Sequence, residues 1–139
     1  MVLNNMSADE CLFCRVQGEK YTDEIVDESE YFFATRDSYP VTKLHTLIIV
    51  KRCTPTFFDL STEEVSDLSE IIRRQREVII DLDSTVSAFN IGINDGKDAG
   101  QSIRHLHVHL IPRRQGDIEN PQGGVRGVIP SKQKYVRRK

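Results

Sequence analysis

The chain has 139 residues, 38% of them hydrophobic and 29% charged, with a net charge of −2. That is the size and balance of one soluble globular domain with a real core, and so small a net charge argues against a nucleic-acid or membrane-surface partner. The opening MVLNNMSADE lacks the basic start and apolar run of a secretory signal, and no apolar stretch has the length of a membrane span. A cytoplasmic protein is therefore expected, in which the three cysteines serve as thiols or metal ligands before disulfides.

In chain order, EIVDES and YFFATRD read as two short strands joined by a turn, and HTLIIVK, 45–51, as a stronger strand ending before Pro55. LSTEEVSDLSEIIRRQREVIIDL reads as a long helix. Ser61 and Glu64 form a capping box, and Val65, Leu68, Ile72, Ile79 and Leu82 make its apolar stripe. TVSAFNIGIN, 85–94, is a further strand, and NDGKDAGQS is a glycine-bearing loop. Gly96 and Gly100 allow tight turns there, so successive backbone N–H groups would form an anion nest, with Gln101 and Ser102 adding side-chain donors. The tail after residue 115 is loop-like with a basic end. Strands, one long helix and two more strands make an α+β domain with a mainly antiparallel sheet.

The loop leads into RHLHVHLIPRR, 104–114, which holds three of the four histidines. Period-two alternation on a strand sends His105, His107 and His109 to one face, and Leu106, Val108 and Leu110 to the other. The outer two imidazoles would stand about 13 Å apart at about 3.3 Å of rise per residue, which speaks against one metal held by all three. Cys11 and Cys14 have Cys-x2-Cys spacing, which suits one tetrahedral metal or two buried thiols.

AGQSIRHLHVHLIPR resembles the histidine triad family, whose motif is His-x-His-x-His followed by two apolar positions. CLFC, YFFATRDSYPVTKLHTLIIVKR, FFDLSTEEV and NDGKDAGQS fall where that family has corresponding segments. The resemblance covers roughly residues 11 to 115. It implies one domain over 1–139 with the family's fold: a sheet of about five strands, one long helix and a short helix. PRRQGD is similar to the branch of fragile histidine triad hydrolases and bacterial homologues, and the Trp-bearing ending of the phosphoramidate-cleaving branch is missing.

The resemblance implies that His107 attacks the α-phosphorus of a nucleotide or dinucleotide, forms a nucleotidyl-histidine and releases a nucleoside monophosphate after hydrolysis. His109 would contact the phosphate oxygens. Asn94, Gln101 and Ser102 match positions that touch phosphate or leaving group, and Asp37 matches a ribose-binding position. His45 matches a histidine that supports the triad, although Leu44 stands where the family usually has glycine. Cys53 and His105 match the remaining zinc ligands of zinc-containing members, so the implied structural zinc set is Cys11, Cys14, Cys53 and His105. No catalytic cofactor is implied. A two-fold homodimer built on the long helix and the sheet edge is. The competing expectations are a phosphoramidate hydrolase, a nucleotide sensor with little turnover and a metal-dependent hydrolase.

Overall fold

The computed structural model describes Cys11, Phe13 and residues 25–138. Its sheet is built from β1 (Ile25–Glu28), β2 (Phe32–Arg36), β3 (Thr46–Val50), β4 (Val86–Gly92) and β5 (His107–Arg114), and α1 (Thr62–Leu82) connects β3 to β4. The spatial order is β1-β2-β3-β5-β4, with every neighbouring pair antiparallel. None of the described helices is long and apolar enough to cross a membrane.

β3 carries no polar face, because TLIIV is buried at every position. Such a strand belongs at the centre of a sheet covered on both sides. One cover is α1, against which Phe32, Ala34, Ile48, Val50, Leu106 and Val108 pack through Leu68 and Ile71. Ile79 continues that layer with Val86 and Leu110. On the opposite face Phe33, Leu47 and Ile49 pack with Cys11 and Phe13. Among the described residues this second layer leaves part of its face open beside the histidines.

The capping box forms as expected: Ser61 Oγ accepts from Glu64 N–H at 3.1 Å, and Glu64 Oε1 accepts from Ser61 N–H at 2.9 Å. The apolar stripe needs correction. Val65 and Leu82 are exposed, and the buried face runs Glu64, Leu68, Ile71, Gln75, Ile79. Two polar residues hold buried positions because each has partners. Arg52 donates to Glu64 from Nε at 2.8 Å, and Gln75 bonds Arg36 and Asp27.

The tail forms only short 3-10 turns, Gly124–Val128 and Pro130–Lys132. It closes tightly at Gly123, where a Cβ would lie 1.9 Å from the Gln133 carbonyl oxygen.

Candidate active site

β3 and β5 pair with Ile49 opposite His107 and Leu47 opposite His109. All four therefore share the face turned away from α1. β5 begins at His107, so His105 stands in the bend before the strand rather than on it. The alternation persists: Leu106, Val108 and Leu110 are buried on the helix side. A cleft of about 540 Å³ opens over this face, with Phe13, Thr35, Asp37, His45, Asn94, Ser102, His107 and His109 in its walls.

Partners that can only donate or only accept settle the imidazole tautomers. His107 Nδ1 lies 2.8 Å from the His105 carbonyl oxygen. A carbonyl only accepts, so Nδ1 carries the proton and Nε2 presents its lone pair. Burial pushes this imidazole below its ordinary pKa, which keeps it neutral at pH 7.

His45 is fixed in the opposite sense. The Val41 backbone N–H donates to its Nδ1 at 3.0 Å, so Nε2 carries the proton. That proton points at His109 Nδ1, 2.9 Å away, with Asp37 Oδ2 at 3.5 Å. His109 Nδ1 therefore accepts, and its proton sits on Nε2. Burial first, then the neighbouring His107 and His45, brings the His109 pKa down to about 4. Burial lowers that of His45 as well, against the pull of Asp37. A neutral imidazole whose Nε2 presents a lone pair, His107, thus stands beside a neutral N–H donor, His109, with ring centroids 5.3 Å apart.

Asp37, His45 and His109 lie close enough together to suggest a metal site. The His45 tautomer argues otherwise. With Val41 N–H on Nδ1, a metal on Nε2 would require either an imidazolate or loss of that backbone bond. The trio is better read as a hydrogen-bond relay that orients His109.

The loop after β4 uses its donors differently from the anion nest expected of it. The N–H groups of Ala99, Gly100 and Gln101 bond to carbonyls within the loop, and that of Gly96 donates to Gln101 Oε1 at 2.8 Å. Gln101 Nε2 donates to the Pro55 carbonyl at 2.8 Å, so this amide braces the loop. Asp95 ties the same loop to Thr56 Oγ1 and Phe57 N–H. Asn94 and Ser102 do reach the cleft wall. Sequence reasoning missed Phe13, which lies edge-on to both His105 and His107 at 5.8 and 5.0 Å. Its place two residues after Cys11 was the available signal.

Cys11 Sγ, Cys53 Sγ and a ring nitrogen of His105 lie within 4.8 Å of one another. Cys14 lies outside the described residues. His105 Nε2–H donates to the Val50 carbonyl, which leaves the Nδ1 lone pair facing Cys11 Sγ at 3.1 Å. Two thiols and an imidazole whose far N–H is held by a carbonyl form a donor set that fits zinc.

This arrangement has known relatives. The HIT domain model matches residues 18–116. The chain belongs to the HIT family. Among curated relatives of this HIT protein, the bis(5'-nucleosyl)-tetraphosphatase (asymmetrical) of Schizosaccharomyces pombe is 41% identical over 96 residues, covering 65% of this chain and 52% of that one. The chain thus spans about half the length of that relative. The bis(5'-adenosyl)-triphosphatase of Dictyostelium discoideum is 36% identical over 102 residues, 69% of this chain and 68% of that one. A zinc-bound histidine triad family protein from Mycobacterium smegmatis superposes with a TM-score of 0.69 at 32% identity, covering 80% of each chain. The five-stranded antiparallel sheet and single long helix of this protein are thus the HIT fold.

Proposed function

We propose that this chain hydrolyses a dinucleoside polyphosphate, such as diadenosine triphosphate or tetraphosphate, at the α-phosphorus through a covalent nucleotidyl-His107. The observation that carries this reading is the His107 tautomer: Nδ1–H is tied to the His105 carbonyl and Nε2 is free to attack in the cleft. The names of the S. pombe and D. discoideum relatives support the substrate class.

In the first step the Nε2 lone pair forms a bond to the α-phosphorus, and the bond from phosphorus to the bridging oxygen breaks. Its electron pair leaves with the nucleoside di- or triphosphate. The ring becomes cationic, and the His105 carbonyl on Nδ1–H stabilises that charge. His109 donates Nε2–H to an oxygen of the transferring phosphoryl group, the charge of which rises in the transition state. Asn94, Ser102 and Asp37 line the same cleft, and in this reading Asp37 accepts from ribose hydroxyls. Water then cleaves the phosphorus–nitrogen bond, releasing the monophosphate and neutral His107.

Cys11, Cys14, Cys53 and His105 would hold zinc, which supplies a cross-link between the N-terminal segment and the strand that carries the nucleophile. A two-fold homodimer is part of this reading. Among the described residues β4 is paired on one side only, and Leu82 on α1 and Ile91 on β4 are exposed apolar residues on the elements that would meet.

The test is incubation with a panel of dinucleoside polyphosphates and AMP-amides, with products resolved chromatographically. AMP with ADP or ATP from the dinucleotides is the expected outcome. Turnover of AMP-amides alone would replace this reading with a phosphoramidate hydrolase, and turnover abolished by EDTA in protein that stays folded, with no nucleotidyl-histidine trapped, would favour a metal-dependent reaction.

A further inference from the structure

Leu44 has φ +73° and is the non-glycine residue with a left-handed backbone among those described. It occupies the third position of a turn closed by His45 N–H donating to the Thr42 carbonyl at 3.0 Å. A left-handed residue there is the mark of a type II turn, and glycine ordinarily supplies it. The Cβ of a leucine disfavours this region, so the residue relaxes out of it unless its surroundings over-determine the turn.

The Leu44 side chain packs against the cluster of Ile79, Val86 and Leu110, and its backbone is held from two further sides. The Leu44 carbonyl accepts from Thr46 Oγ1 at 2.8 Å. The same hydroxyl accepts from Arg36 Nη1 at 2.7 Å, so it is polarised to donate. Arg36 Nη1 also donates to Gln75 Oε1 at 2.8 Å, and Gln75 Nε2 donates to Asp27 Oδ2 at 2.9 Å. Thr46 and Gln75 are both fully buried. On the other side the Lys43 carbonyl accepts from Arg114 Nη2 at 2.9 Å, and Asp83, the C-cap of α1, holds that guanidinium at 3.0 Å. Both supports are thus anchored on α1, across the sheet from the cleft. The product of the turn is the placement of His45, whose Nε2–H aims at His109.

We propose that Thr46 and Arg114 are positioning residues for the His45–His109 pair, clamping Leu44 in a conformation that this side chain would otherwise leave. Neither touches the cleft; each acts through the turn. The kinetic part of the test rests on the proposed hydrolysis, and the spectroscopic part does not.

Thr46→Val keeps the shape and removes the hydroxyl, Thr46→Ser restores it, and Leu44→Gly removes the Cβ strain of the left-handed turn, at the loss of the leucine's packing, so that the clamp becomes dispensable. With diadenosine tetraphosphate, Thr46→Val should lower kcat about two- to fivefold with KM unchanged within about twofold, the size of a weakened orienting hydrogen bond. Thr46→Ser should return to the parent value, and Thr46→Val placed on Leu44→Gly should cost almost nothing further. Arg114→Gln, alone and with Leu44→Gly, repeats the cycle at the second support and decides the matter if Thr46→Val does not fold. Nitrogen NMR of the His45 ring reads the same cycle without turnover: Nε2 protonated in the parent, a tautomer mixture in Thr46→Val, and recovery in the double variant. Parent-like tautomer and kcat in both single variants, or a loss of equal size in both backgrounds, would overturn the proposal. A parent protein that cleaves no dinucleotide yet shows the NMR cycle would overturn only the reading of the reaction.

Discussion

Replacing His45 with alanine probes the relay directly. The lost interaction is the hydrogen bond from its Nε2–H to His109 Nδ1, 2.9 Å long between a buried and a half-buried ring. Such a bond contributes roughly 0.5–1.5 kcal/mol net, which amounts to about two- to twelvefold in rate when it is spent on holding His109 as a donor in the transition state. Without it, His109 presents an acceptor rather than a donor to the phosphoryl oxygens for part of the time. The expected result is a two- to twelvefold fall in kcat, roughly the same factor, with KM little changed. The Val41 N–H also loses its acceptor, which water can replace because Val41 is exposed, so stability should drop by roughly 0.5–1.5 kcal/mol. The assay is steady-state hydrolysis of diadenosine tetraphosphate, on protein shown to be folded by urea denaturation. An unchanged kcat would refute the relay. A collapse as deep as that of a His107 variant would show His45 to be part of the chemistry itself.

His107→Ala should abolish turnover, a loss of at least about a thousandfold, while nucleotide affinity by calorimetry stays within about tenfold. Protein purified without chelator should carry about one zinc per chain by elemental analysis, and Cys11→Ser should lose that zinc together with several degrees of Tm; zinc-free parent protein of unchanged Tm would remove the metal from the account. The folded pKa values of His45, His107 and His109 lie below the ordinary 6.5, that of His109 at about 4. The unfolded chain therefore takes up protons that the fold refuses, so their contribution is complete above about pH 6.5 and is lost as the pH falls towards 4. Urea midpoints should decline between pH 7 and pH 5, above the range where Glu64 and Asp83, both held near 2 by their partners, begin to count; a flat profile would contradict the burial of the neutral rings. Light scattering at micromolar concentration should give the mass of a dimer, and a monomer would remove the two-fold interface from the reading.

Much of the fold was legible because it depends on local chemistry. Alternation placed Leu106, Val108 and Leu110 against α1, and Ser61 with Glu64 marked where the helix begins. The helix face was misread at Val65 and Leu82 because hydropathy cannot see polar burial. Gln75 is buried for its bonds to Arg36 and Asp27, and those partners lie 39 and 48 residues away in sequence. The same limit governs the site. His107 stood out within one strand, but the pairing of His45 with His109 spans 64 residues. Gln101 shows the same limit: its amide braces the loop through Gly96 and Pro55, and the Pro55 contact spans 46 residues. The glycine missing at position 44 was visible, and its consequence was not, because the left-handed turn is preserved by side chains from β3 and β5.

The register of β3 also sets how this gene can change length. His45 faces the cleft, and Thr46 next to it faces α1. Removing a single codon between Val41 and Thr46 would exchange the two faces or pull the turn apart, presenting an imidazole to Arg36 and Gln75 and a threonine to His109. Conservative substitutions along this stretch cost one contact each, whereas a deletion forfeits the relay, the clamp and the sheet register together. The exposed residues 118–121 join β5 to the tail without touching these pairings. In a library of single-codon deletions, survivors should therefore cluster at 118–121 and be absent from 41–46.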